Sequence, residues 1–267
     1  MADAPAYPTW SNPGVYAFLD HEGPIGFAHR GGAADGYENS LAAFAAAVEM
    51  GYRYLETDVH ATSDGVLLAF HDTTLDRVTD LRGRVDRLPW KAVSRARIGG
   101  REPIPLLEDL LGTWPDIRVN IDVKDAGATA PLAATIRRTS SLDRVCVASF
   151  SERRLAAVRR ELGPRLCTSL APPGVIRLFA AASSGALAGL APRGVPCVQV
   201  PERVGPLRVV TPRLVEIAHA QGQHVHVWTV DDAADMRRLL DLGVDGIMTD
   251  RIHTLRDVLH ERGNWPA

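Results

Sequence analysis

The chain alternates strand-like runs with helix-like segments almost from end to end, and this rhythm constrains its fold more than any other feature. Strands are read at Ile25 to Ala28, Tyr54 to His60, Arg118 to Lys124, Val145 to Phe150, Arg165 to Leu170, Cys197 to Val200, His224 to Val230 and Gly246 to Thr249. Helical segments fall between and after them: Leu41 to Met50, Leu106 to Trp114, Ala130 to Ser140, Arg153 to Leu162, Val175 to Ser183, Pro212 to Gln221, Ala233 to Leu242 and Leu255 to Glu261. Eight such repeats over roughly 250 residues predict an α/β chain closed as a (β/α)₈ TIM barrel. The rival, a doubly wound open sheet, is disfavoured because no GxGxxG follows any strand. With 267 residues, 46% of them hydrophobic, the chain has enough apolar material for one large core. Residues 24–267 are therefore read as a single barrel domain, preceded by an irregular, Pro-containing lead-in over 1–23.

In such a barrel the chemistry gathers at the C-terminal ends of the strands. The first strand ends in His29 and Arg30, followed by Gly31 and Gly32; Asn39 or Ser40 can then cap the first helix. In the second strand Tyr54, Glu56, Asp58 and His60 share one face, so two carboxylates point the same way. Two such acids can be merely salt-bridged or exposed at a rim, or can hold a cation. The turn Ser63-Asp64-Gly65 and a return strand at Val66 to Phe70 bring His71 and Asp72 back toward the same place. A short insertion after the second strand, residues 73–104, is polar and aperiodic. It is predicted to form a lid-like excursion over the site, with Leu75, Val78, Leu88, Trp90 and Ile98 available for burial.

The third barrel strand adds Asn120, Asp122 and Lys124 on one face, which reads alone as an internal Asp–Lys pair. Beside Glu56 and Asp58 it favours a three-carboxylate site for a hard divalent cation, Mg²⁺ or Ca²⁺. His224 and His226 are read as barrel filling, with Trp228 walling the pocket; Asp250 ends the last strand and can equally cap the next helix.

A net charge of −2 argues against a nucleic-acid partner. Cys146, Cys167 and Cys197 show no CxxC spacing, so neither a zinc site nor a disulfide framework is indicated, and buried free thiols are expected. The N-terminal stretch has neither a basic start nor a long apolar core, so no signal peptide and no membrane span are expected, and a cytoplasmic location follows as the default.

Several of these groups recur as ordered motifs: His29-Arg30-Gly31, Glu38-Asn39-Ser40, Glu56-Thr57-Asp58, His71-Asp72, Ile104-Pro105-Leu106-Leu107-Glu108, Asn120-Ile121-Asp122-Val123-Lys124, Trp228-Thr229-Val230 and Gly243-Val244-Asp245-Gly246 running to Thr249-Asp250. In this combination the chain closely resembles the glycerophosphodiester phosphodiesterase family. The resemblance implies a (β/α)₈ barrel that hydrolyses a small-molecule glycerophosphodiester, such as glycerophosphocholine or glycerophosphoethanolamine, to glycerol 3-phosphate and an alcohol. It further implies that Glu56 and Asp58 bind a divalent metal, that His29 and His71 are the acid–base pair, and that Arg30 and Lys124 hold the phosphate. The third metal ligand of the family is commonly a glutamate; here the matching residue is Asp122, one methylene shorter. Two alternatives accompany this reading: a lysophospholipase D acting on lysophospholipids, and a barrel that binds phosphoesters without turning them over.

Overall fold

A computed structural model describes residues 16–35 and 37–265. The expected lead-in lies largely on residues 1–15, outside the described residues. The barrel strands are β1 (Ile25–Ala28), β2 (Tyr54–Ala61), β4 (Arg118–Val123), β5 (Val145–Ala148), β6 (Cys167–Thr168), β7 (Cys197–Pro201), β8 (His224–Trp228) and β9 (Gly246–Thr249). A further strand, β3 (Leu67–Ala69), returns antiparallel along β2. The barrel helices are α1 (Leu41–Glu49), α2 (Leu107–Thr113), α3 (Thr129–Arg138), α4 (Glu152–Leu162), α5 (Pro172–Ser183), α6 (Pro212–Ala220), α7 (Ala233–Asp241) and α8 (Ile252–Glu261). The parallel strands lie in the order β6-β5-β4-β2-β1-β9-β8-β7, so the expected (β/α)₈ barrel is the fold found. Its last gap, between β6 and β7, is bridged by the Ser169–Cys197 pair, by Leu170 N–H donating to the Cys197 carbonyl at 3.0 Å and by the Cys197 thiol donating to the Thr168 carbonyl at 3.7 Å.

The alternation of side chains decides what each strand does. Leu55, Val59, Val119, Ile121, Val147, Val198, Val225 and Ile247 point outward into the main core against the helices. Inside the barrel, Ile25, Phe27, Tyr54, Cys146, Cys167, Cys197 and Met248 pack together, with Phe18 from the short 3₁₀ turn Ala17–Leu19 among them. Side-chain oxygens of Ser40, Ser151, Thr211 and Asp232 cap α1, α4, α6 and α7 by accepting from the first-turn amides. Ser40, not Asn39, is thus the cap of α1.

Element limits differ from the sequence expectation where tertiary pairing intervenes. The strand expected over Arg165 to Leu170 shrinks to Cys167–Thr168, because it has a full ladder partner on one side only. Helix α5 starts at Pro172, ahead of Val175, since prolines in a first helical turn forfeit no hydrogen bond. The insertion has a small core of its own. Leu75, Val85, Val93, Ala96 and Ile98 are buried with Leu68, Phe70 and Ile104, and Val78, Leu88 and Trp90 pack onto them. No helix among the described residues is long and apolar enough to cross a membrane.

Candidate active site

The C-terminal ends of the strands surround a cavity of about 450 Å³ whose walls include His29, Arg30, Glu56, Asp58, His71, Asp122, Lys124 and Trp228. All eight site residues expected from the sequence therefore meet in one place. No residue of the insertion lines this cavity; hydrophobic burial holds the segment against β3 instead.

His29 leaves β1 where the chain turns sharply, with Arg30 at φ 52° and Gly31 at φ 84°. A side chain on Gly31 would meet the Ala43 backbone at 3.0 Å, so this turn packs directly on α1. His29 Nδ1 donates to Asp250 Oδ1 at 2.5 Å, and its Nε2 lies 3.8 Å from Glu56. Burial disfavours protonation of His29, but Glu56 and then Asp250 outweigh it and hold the pKa above the ordinary histidine value. His71 has a parallel arrangement with the opposite outcome. Its Nδ1 donates to Asp72 Oδ1 at 2.6 Å, yet burial outweighs Asp58 and Asp72 and the pKa is lowered. Behind it, His60 joins the Asp125 carboxylate (2.8 Å) to the His71 carbonyl (3.0 Å).

The acids and cations interlock. Parallel pairing sets Asp58 opposite Asp122 and Glu56 opposite Asn120. Lys124 Nζ reaches Asp58 at 2.9 Å and Asp122 Oδ2 at 2.6 Å, while Arg30 pairs with Glu38 at 2.9 Å and with Asp58 at 3.3 Å. These cations overcome the cost of burial and keep Asp58 below its ordinary pKa. Glu56 has no Lys or Arg side chain paired with it; it accepts the Arg30 backbone N–H at 3.1 Å and faces His29 at 3.8 Å, and burial followed by the Asp58 charge outweighs these and pushes its pKa up to about 7. Arg77 ties the outer layer together, donating to Asp72 at 2.6 Å and to Glu38 at 2.7 Å. The Arg77 hydrogen bonds hold Asp72 down at about 2. The insertion thus contributes to the site by orienting Asp72 and Glu38.

A family model described as the glycerophosphoryl diester phosphodiesterase family matches residues 29–254. The chain belongs to that family. It is 45% identical over 251 residues to "Probable glycerophosphodiester phosphodiesterase 2" of Mycobacterium tuberculosis, covering 93% of this chain and 95% of that protein. It is 31% identical to a glycerophosphodiester phosphodiesterase of Caldanaerobacter subterraneus, covering 88% and 98%. The crystal structure of a "Putative glycerophosphoryl diester phosphodiesterase" from Silicibacter pomeroyi superposes with a TM-score of 0.77 at 26% identity, covering 94% of this chain and all of that one.

This glycerophosphodiester phosphodiesterase is an enzyme of a family that generally depends on a divalent metal, and its donor set fits one. Asp122 Oδ1 is buried without a hydrogen-bond partner, and the buried Glu56 carboxylate pairs with no Lys or Arg side chain. With Lys124 standing between two of them, Glu56, Asp58 and Asp122 are not gathered within 4.8 Å of one another; among the described residues only the three cysteines meet that spacing.

Sequence reasoning gave no site role to Asp250, Asn39 or Arg77. Asp250 caps nothing; Arg251 is the cap position of α8, without a side-chain bond, and Asp250 serves His29 instead. Asn39, at φ 57°, donates to Asp58 (3.3 Å) and accepts from Thr57 (2.7 Å). For Asp250 the signal available was adjacency, since it directly follows the strand ending at Thr249.

One wall of the cavity is apolar. Leu170, Val175, Val200 and Pro201 line it, and Phe150, Ile176 and Val204 stand at its mouth 60%, 67% and 59% exposed. Trp228 meets Phe150 edge-on at 5.9 Å between ring centroids, which places it where the sequence put it, as a wall.

Proposed function

We propose that the chain hydrolyses glycerophosphodiesters such as glycerophosphocholine or glycerophosphoethanolamine to glycerol 3-phosphate and the free alcohol. The observation that carries this reading is the pair of histidines, each gripped at Nδ1 by a carboxylate, facing one cavity that also holds Arg30 and Lys124. Their environments push the two pKa values apart, and such a split assigns acid and base. His71, whose pKa is lowered, takes the proton from the attacking hydroxyl or water; His29, whose pKa is raised, delivers its Nε2 proton to the departing alcohol oxygen. Asp72 and Asp250 fix the ring orientations, leaving each Nε2 for the substrate. Arg30 and Lys124 meet the charge that develops on the phosphoryl oxygens, the first as a fork and the second as a point charge. Glu56, Asp58 and Asp122 would hold Mg²⁺ or Ca²⁺, which supplies positive charge to a non-bridging oxygen when bound.

The test is glycerol 3-phosphate release from glycerophosphocholine by metal-stripped protein, before and after adding Mg²⁺ or Ca²⁺. Release is expected only with metal, and His29→Ala or His71→Ala should cost about 10² to 10⁴ in rate. Full turnover by either variant would sink the assignment of that histidine.

A second reading draws on the apolar wall, which suits the acyl chain of a lysophospholipid as well as a small headgroup. Faster turnover of lysophosphatidylcholine than of glycerophosphocholine would favour it.

A further inference from the structure

The three cysteines, separated along the chain, converge inside the barrel below the catalytic cavity. Cys146 lies on β5, Cys167 and Cys197 open β6 and β7, and all three are buried and reduced. Their sulfurs all lie within 4.8 Å of one another, with Cys146 Sγ and Cys197 Sγ 3.8 Å apart. Thiolate–zinc bonds of about 2.3 Å set two sulfurs about 3.8 to 4.0 Å apart across a tetrahedral or trigonal centre, so little movement is needed to seat a cation.

A second observation comes from the next strand. His224 on β8 stands in register with Cys197, and His226 lies two residues on, fully buried. His224 Nδ1 and His226 Nε2 are both buried without a hydrogen-bond partner. Buried polar atoms are normally satisfied, so two unpartnered imidazole nitrogens beside three thiols mark unused donors.

The third observation is position. The barrel is weakest between β6 and β7, where one bridge replaces a ladder, and that bridge uses Cys197 itself. Cys146 and Cys167 stand on one side of the seam, Cys197 on the other.

We propose that Cys146, Cys167 and Cys197 bind a thiophilic divalent cation of the Zn²⁺ class, which ties β5 and β6 to β7 across this seam. Each thiol gives its proton to solvent on binding. Three thiolates and a divalent ion leave a single negative charge, beside His224 and His226. The site is separate from the catalytic cavity, whose floor above it is the hydrogen bond from Gln199 Nε2 to Asn120 Oδ1 at 2.8 Å. Ligand chemistry separates them as well, soft sulfur here against hard oxygen at the strand ends.

The full chain, unfolded under reductant and refolded with one equivalent of Cd²⁺ in excess Mg²⁺, tests the proposal. The refolded protein should carry one Cd²⁺, show ultraviolet thiolate-to-cadmium charge transfer and melt at a higher temperature than protein refolded without Cd²⁺. Cys197→Ala and Cys146→Ala should each lose the absorption and the shift in Tm while still cleaving glycerophosphodiesters. Refolded, active wild-type protein with three titratable thiols and no cadmium would overturn the proposal, as would charge transfer that survives both substitutions.

Discussion

Asp250→Asn is the most informative single change in this enzyme. Asp250 Oδ1 lies 2.5 Å from His29 Nδ1, and the Asp250 side chain is 30% exposed. Charge centres about 4 Å apart at an effective dielectric of about 20 attract by about 4 kcal/mol. Solvent at the exposed carboxylate screens much of this, leaving about 1.4 kcal/mol, one pKa unit on His29. As the general acid, His29 must be protonated, and its raised pKa extends that state to higher pH. Removing the Asp250 charge lowers that pKa, so the alkaline limb of the kcat/KM profile should move down by about one pH unit. Above that limb the rate should fall about tenfold. The acid limb, where His71 gains its proton, should stay in place. The assay is glycerol 3-phosphate release across the pH range, with Tm as a check on folding. An unmoved alkaline limb in a folded variant would refute the positioning argument, and movement of the acid limb instead would exchange the roles of the two histidines.

Asp122→Ala should weaken Mg²⁺ or Ca²⁺ binding measured by calorimetry, and unchanged affinity would remove Asp122 from the ligand set. Leu75→Ala, in the small core of the insertion, should lower stability by about 2 to 5 kcal/mol in denaturant unfolding yet leave KM unchanged, since the segment does not line the cavity. Asp72, held at about 2, stabilises the fold fully above its unfolded pKa near 4 and loses that contribution as pH falls through 2; Tm of Asp72→Asn should therefore decline less between pH 4 and pH 2 than wild type. Phe150→Ser should raise KM for lysophosphatidylcholine more than for glycerophosphocholine; equal effects would detach the exposed wall from acyl-chain binding.

Strand periodicity in β2 and at the end of β4 places Glu56, Asp58, Asp122 and Lys124 on the inner face from the sequence alone, because a two-residue repeat dictates sidedness locally. The eightfold alternation likewise announced the barrel, and the residues at strand ends announced the cavity. Local pattern carries this information because burial on one face must be written along each strand in turn. What it does not carry is the partner across the barrel. Asp250 reaches His29 over 221 positions of chain. Arg77 holds Asp72 and Glu38 from a segment whose sequence reads as an aperiodic loop, and the three cysteines meet only after β5, β6 and β7 have curled together. Such contacts depend on strand stagger and closure, properties of the assembled sheet that no single run of residues encodes.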